Sequence, residues 1–144
     1  MTPDGFPQPV GVATGEYPGG RISWEVDYRL LVLTIRLRGG VTDDDLASGV
    51  PEIWLRHPEV LDCATLVDAR ELTGEGNYGW RGLREVSSAW KRFAMGRDTG
   101  SRVAIVLRDT LLTKLARAVS FDYPGSVFRI FFSVEDAEDW LGMR

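Results

Sequence analysis

The run "LDCATLVD" ends in the carboxylate of Asp68, and the stretch that follows, "ARELTGEGNYGW", breaks into glycines before a helical pattern begins. A carboxylate at the end of a buried strand, facing a Gly-rich loop and a helix start, is where α/β proteins commonly hold ligands. Asp68 could position such a ligand, or it could accept backbone N–H groups and hold its own loop. The segment "GEGNYG", Gly74 to Gly79, is neither Gly-x-Gly-x-x-Gly nor a phosphate-binding P-loop, because no Lys-Ser or Lys-Thr follows it. Its Gly and Asn residues supply positive φ angles for a tight path into the helix. The functional alternative is a lid whose Tyr78 and Trp80 close over a ligand.

Residues for covalent or metal chemistry are scarce. His57 is the only histidine and Cys63 the only cysteine. His57 lies in "RHPEV", which reads as a helix-ending surface turn with a solvated imidazole. Cys63 starts an apolar strand, with no sequence neighbour to lower its pKa, and reads as a small core residue. One His and one Cys cannot make a standard zinc site, and Asp43-Asp44-Asp45 looks like helix-start charge rather than a calcium loop. No catalytic residue, metal site or cofactor is therefore expected.

The remaining bounds are broad. A chain of 144 residues with 44% hydrophobic and 26% charged residues suits one folded domain and not a disordered chain. A net charge of −4 argues against a general nucleic-acid binder. Arg greatly outnumbers Lys, mainly a genome-composition effect with a small allowance for anion recognition. A lone cysteine permits no internal disulfide and fits a reducing cytoplasm. The opening "MTPDGFPQPVGVATGEYPGG" lacks a basic segment followed by an apolar one, so no signal peptide is expected. No apolar run approaches the ~20 residues of a transmembrane segment. The expectation is a bacterial, cytoplasmic protein.

The positioning elements follow from periodicity. Residues 1–20 are rich in Pro and Gly and read as an extended arm, either a loose terminus or an arm packed on a neighbouring subunit through Phe6 and Tyr17. Residues 21–144 form the domain. Ile22, Trp24 and Val26 alternate with polar residues, as do Leu31, Leu33, Ile35 and Leu37, so the two runs predict a hairpin. Thr42 with Asp45 predicts a capping box for a helix over Leu46, Val50, Ile53 and Trp54, interrupted at Pro51 and ended at His57-Pro58. "LDCATLVDAR" and "RVAIVL" read as buried parallel strands. Between them lies an amphipathic helix. Trp80, Leu83, Trp90 and Phe93 fall on one side and Arg81, Arg84, Lys91 and Arg92 on the other. Asp109 caps "TLLTKLARAV", "YPGS" turns, and "VFRIFF" is the last strand. Ser133, with Asp136, caps a closing helix through Trp140 and Leu141. The order β-β-α-β-α-β-α-β-α predicts an α/β sheet of about five strands, mostly parallel, with its first strand antiparallel.

This order resembles the SpoIIAA-like branch of the STAS superfamily, which includes anti-sigma-factor antagonists. The resemblance covers about Ile22 to Leu141. It rests most on "RVAIVLRDTLLTKLARAVSFDYPGSVFRIFFSVEDAEDWL", and also on "ISWEVDYRLLVLTIRLRGGVT". It implies a single STAS-like domain with helices packed mainly on one face of a mixed sheet. In regulatory STAS members the loop after the third strand carries a serine that a partner kinase phosphorylates. Here "ARELTGEGNYGW" has no serine. Thr73 is flanked by Glu71 and Glu75, where a phosphate would meet like charge, partly offset by Arg70 and the helix end. The phospho-switch is not carried over. For other SpoIIAA-like proteins without that serine, likeness to lipid-carrier folds suggests apolar small-molecule binding.

Two functional expectations result. The first is a non-enzymatic binding or regulatory module holding a small apolar molecule between the Trp80–Ala94 helix and the sheet. Trp80, Leu83, Trp90 and Phe93 would line that space, with Asp68 and Tyr78 at its mouth. The second is a protein-interaction domain of an anti-sigma-antagonist-like pathway, with a signalling protein docking near Thr73 and on Arg81, Arg84, Lys91 and Arg92. "VFRIFF", as a last and apolar strand, sits at a sheet edge that a homodimer would cover.

Overall fold

The computed structural model describes residues 11–73, 80–95, 101–108 and 126–143, with the side chains of Trp80, Leu83, Ser87, Ser126 and Phe128 also set aside. The helix expected after Asp109, the "YPGS" turn, Phe6 and Tyr78 lie outside the described residues.

Six strands form one mixed sheet in sequence order: β1 (Val12–Glu16), β2 (Ile22–Asp27), β3 (Val32–Gly39), β4 (Ala64–Leu72), β5 (Ser101–Val106) and β6 (Ser126–Phe131). β2 is antiparallel to both β1 and β3, while β3, β4, β5 and β6 run parallel. This is the expected mixed α/β sheet, with one strand more. β1 falls within the stretch expected to be an extended arm. Its sequence, VATGE, hides the alternation because its inward positions, Ala13 and Gly15, are small. Gly15 is required: a β-carbon there would overlap the Trp24 ring of the paired strand. Tyr17, the arm residue considered for a neighbouring subunit, instead packs against this chain's own core.

β2 and β3 show why an alternating pattern becomes a half-buried hairpin. Ile22, Trp24 and Val26 are buried, as are Leu33, Ile35 and Leu37. Leu31 does not continue the inward series: it is exposed, in the turn, with φ of +56°. Asp27 builds that turn by accepting the N–H groups of Arg29 and Leu30 on Oδ1.

Three described helices cover the sheet: α1 (Asp43–Arg56), α2 (Trp80–Ala94) and α3 (Val134–Leu141). Thr42 makes the predicted capping box, its Oγ1 accepting from Asp45 N at 3.0 Å while Asp45 Oδ2 accepts from Thr42 N at 3.0 Å. Pro51 sits inside α1 without dividing it. Ser133 caps α3 through Asp136 N at 3.1 Å, and Gly142 ends it in the left-handed region with φ of +79°.

The main core joins Ile22, Trp24, Leu33, Ile35 and Ala69 to Val50, Ile53 and Trp54 of α1 and to Val86 and Trp90 of α2. Leu66, Ala104 and Val106 face the opposite way, against Ala137 of α3. Thus α1 and α2 share one face and α3 takes part of the other.

Candidate functional site

Both α1 and α2 begin at the C-terminal edge of the parallel strands and run side by side. Arg81 in the first turn of α2 meets Asp43 and Asp44 in the first turn of α1, at 3.8 and 3.0 Å. At the other end, Trp90 and Phe93 meet Trp54 in α1's last turns. Gly82 permits the approach, since a β-carbon there would stand 2.6 Å from Asp43 Oδ1 and 2.9 Å from Asp43 Cα.

The aromatic residues between these helices form one packed trio. Trp54 and Trp90 meet edge to face with centroids 5.1 Å apart, and Phe93 stacks on Trp54 at 5.7 Å with planes 20° apart. Such contacts hold rings together beyond their area burial. Trp90 is buried and Phe93 half-buried. The structure therefore brings Trp90 and Phe93 together, and adds Trp54, which helical spacing marks only as a position of the first helix. Trp80 and Leu83 lie in the same helix, with their side chains outside the described set.

Asp68 is elsewhere. β4 does not end at it but continues to Leu72, pairing Arg38 with Glu71 and Gly39 with Leu72 across a register shift. The break was expected too early because "DAREL" loses its apolar run just where the backbone ladder persists. Strand alternation puts Asp68 on the side of Leu66, the α3 side, away from Trp90 and Phe93. Arg70 Nε and its Nη2 donate to the two carboxylate oxygens of Asp68 at 2.9 Å each. This hydrogen-bonded pair holds the Asp68 carboxyl below the usual carboxylate range, with its own burial opposing the shift. Asp68 and the aromatic trio do not share a cavity mouth.

The expected partner surface divides. Arg81 is engaged by Asp43, Asp44 and Glu85, the last at 3.2 Å. Arg84, Lys91 and Arg92 are exposed on α2 and form no ion pair among the described residues. Thr73 lies at the strand edge, its N–H donating to Gly39 O at 3.1 Å.

A polar cluster at the opposite, N-terminal edge of the parallel strands was not foreseen. Tyr28 Oη donates to Glu59 Oε1 at 2.5 Å and lies 3.3 Å from His57 Nδ1. His57 also meets the Trp24 ring edge-on, with centroids 6.5 Å apart, so it is a packed residue and not the freely solvated turn expected. Burial, then the Glu59 bond, pushes the Tyr28 phenol up to about 12. Cys63 is buried as expected. Burial, then the charges of Asp62 and Glu59, pushes its thiol up to about 11. Tyr28 lies 29 and 31 residues from His57 and Glu59, too far for spacing to announce the cluster. The only local signal was the polar Tyr at the hairpin's end.

No protein-family model matches the sequence, and a search of curated proteins finds no significant match. Among solved structures, the chain aligns with an uncharacterised protein of the DUF3478 family from Shewanella loihica, described as having a SpoIIAA-like fold. The alignment has a TM-score of 0.52 at 18% identity, covering 95% of this chain and 99% of that one. The chain has a SpoIIAA-like fold. This agrees with the fold implied by the resemblance of "RVAIVL" and "VFRIFF" and their neighbours. No described helix of this SpoIIAA-like chain is long and apolar enough to cross a membrane, and no group of three or more potential metal ligands occurs among the described residues.

Proposed function

We propose that this SpoIIAA-like chain is a non-enzymatic interaction module that receives an acidic signalling protein on the outer face of α2. The observation that carries this reading is the division of the basic residues. Arg81 is spent on the α1 acids, whereas Arg84, Lys91 and Arg92 stand exposed without a described ion-pair partner. The Arg guanidinium is more weakly hydrated than an ammonium and forms forked bonds to carboxylates, so a row with two Arg and one Lys suits an acidic surface. Thr73 adjoins the start of this helix across the Gly-rich loop, but its acidic neighbours Glu71 and Glu75 speak against a phosphate there.

The apolar-ligand reading has weaker support. The rings meant to line a pocket, Trp90 and Phe93, already pack on Trp54, and a ligand would have to part them. The non-enzymatic reading is supported by Cys63, the one cysteine, whose burial pushes its thiol up to about 11, away from the reactive thiolate.

The test is affinity capture from the native host's soluble fraction with the wild type and an Arg84→Glu/Lys91→Glu/Arg92→Glu variant. A protein retained by the wild type and lost by the variant is expected. Identical capture by both overturns the docking surface.

A further inference from the structure

The helices on the two faces of the sheet carry opposite charge. On one face, Arg84, Lys91 and Arg92 are exposed along α2, and no carboxylate follows Glu85 in that helix. The acids of the neighbouring α1 are matched by cations close by. Asp43 and Asp44 meet Arg81, Asp45 meets Arg21, and Glu52 meets Arg56. The C-terminal half of α2 is therefore cationic. Its first turn, with Asp43, Asp44 and Glu85 around Arg81, is anionic.

On the other face, α3 reads VEDAEDWL, with carboxylates at Glu135, Asp136, Glu138 and Asp139 and no cation. Glu135, Asp136 and Asp139 are exposed. The strands beneath α3 supply three arginines. Arg70 is forked onto Asp68, and Arg129 stacks over Phe131. Arg102 stacks over Trp140 and donates to its carbonyl at 2.7 Å. Counting all of them, with Asp68, leaves the α3 side net negative. Arg102 sits at the last turn of α3, so this surface also has two poles, an anionic start and a cationic end.

The poles of the two faces match in one orientation. Laid antiparallel on the α2 of a second copy, α3 sets Glu135 and Asp136 against Lys91 and Arg92, and carries Arg102 toward Asp44 and Glu85. A parallel arrangement opposes like charges at both ends. The lengths agree: at 1.5 Å per residue, Arg84 to Arg92 spans about 12 Å, as do the eight residues of α3. The antiparallel arrangement also brings Phe132, just before α3, beside Met95, just after α2. They are 64% and 81% exposed, and each would gain an apolar neighbour. Because α2 and α3 lie on opposite faces of the sheet, a copy can offer its α3 while receiving another on α2. Such a head-to-tail interface does not close into a pair.

We infer that the chain associates head to tail with itself, the acidic α3 of one copy seated on the basic row of α2 of the next. This rests on the reading of that row as a receiver of acidic surfaces, and names one such surface. Exposed ion pairs are individually weak, so the association is weak and sensitive to salt. The test is sedimentation equilibrium of the full chain over a concentration series into the millimolar range. The wild type is expected to grow past the mass of a pair with concentration. It should return to a single chain at about 1 M salt, where the Debye length is about 3 Å. Arg84→Gln/Lys91→Gln/Arg92→Gln and Glu135→Gln/Asp136→Asn should each associate at least about tenfold more weakly than the wild type. Mixed in equal amounts, these two variants should form a 1:1 complex that grows no further, since each keeps the face the other lacks. The α3 variant should still capture a foreign acidic protein as the wild type does. The inference is overturned if the wild type stays a single chain, if its growth stops at a pair, if either variant associates like the wild type, or if the mixture forms no 1:1 complex. A wild type that stays single yet captures a partner through α2 overturns this inference alone and leaves the docking row standing.

Discussion

Asp68 could position a ligand or accept backbone N–H groups, and its contacts are of the second kind: Oδ1 accepts from Arg70 N at 3.2 Å, beside the bonds from the Arg70 side chain. Its forked pair with Arg70 lowers its pKa in the folded state, so the stability it contributes is present above the ordinary carboxylate range. That contribution is lost as pH falls through the depressed folded value. Asp68→Asn should cost about 1 kcal/mol at neutral pH, given a partly exposed partner, and the gap to wild type should close in acid. Denaturant melts at neutral and acidic pH check both parts. Cys63 gives a second expectation: with its thiol near 11 and its side chain buried, it should react with an aromatic disulfide reagent only after unfolding. Burial, then the bond to Glu59, raises the Tyr28 pKa to about 12, so the stability linked to its protonated form persists below the unfolded phenol's value of about 10 and fades as pH climbs through 12. Tyr28→Phe should lower stability by about 1 kcal/mol and remove a tyrosine absorbance step near pH 12. What sequence could say at this scale was residue type and neighbours. It found the buried Cys63 and missed the Tyr28–His57–Glu59 contact, which exists only because a hairpin and a helix end meet.

Among the elements, the capping signals at Thr42 and Ser133 were plain in the sequence because a cap is a local bond between residues three apart. β2 and β3 were plain because alternation is local too. β1 was not, since Ala13 and Gly15 are too small to mark a buried face, and the continuation of β4 past Asp68 was not, since "AREL" is polar on a strand held by its ladder partners Arg38 and Gly39. The closeness of α1 and α2 was equally invisible. It depends on Gly82, which nothing in its sequence neighbours distinguishes from any other helix glycine. Replacing an exposed helix glycine by alanine ordinarily stabilises by up to about 1 kcal/mol. Here the added β-carbon would meet Asp43 backbone, so Gly82→Ala should destabilise by about 1–3 kcal/mol instead. A thermal melt decides the sign.

Across the whole molecule, strand–helix alternation predicted the mixed sheet without β1, and the resemblance of "RVAIVL", "VFRIFF" and their neighbours implied the SpoIIAA-like fold with which the solved-structure alignment agrees. The functional surface is less legible, because sequence places Trp90 and Phe93 on an apolar helix side without saying whether a ligand or Trp54 fills the space they face. Trp54, Trp90 and Phe93 pack on one another within the core. Trp90→Ala should then behave as a core deletion, costing about 3–5 kcal/mol in denaturant melts. The most direct measurement is native mass spectrometry of freshly purified protein beside its denatured mass. A native mass equal to that of the bare chain, or a whole multiple of it, is the predicted result. Additional mass that is released on denaturation would mean that a small molecule parts the Trp54–Trp90–Phe93 trio, and would contradict an interaction module with a closed core.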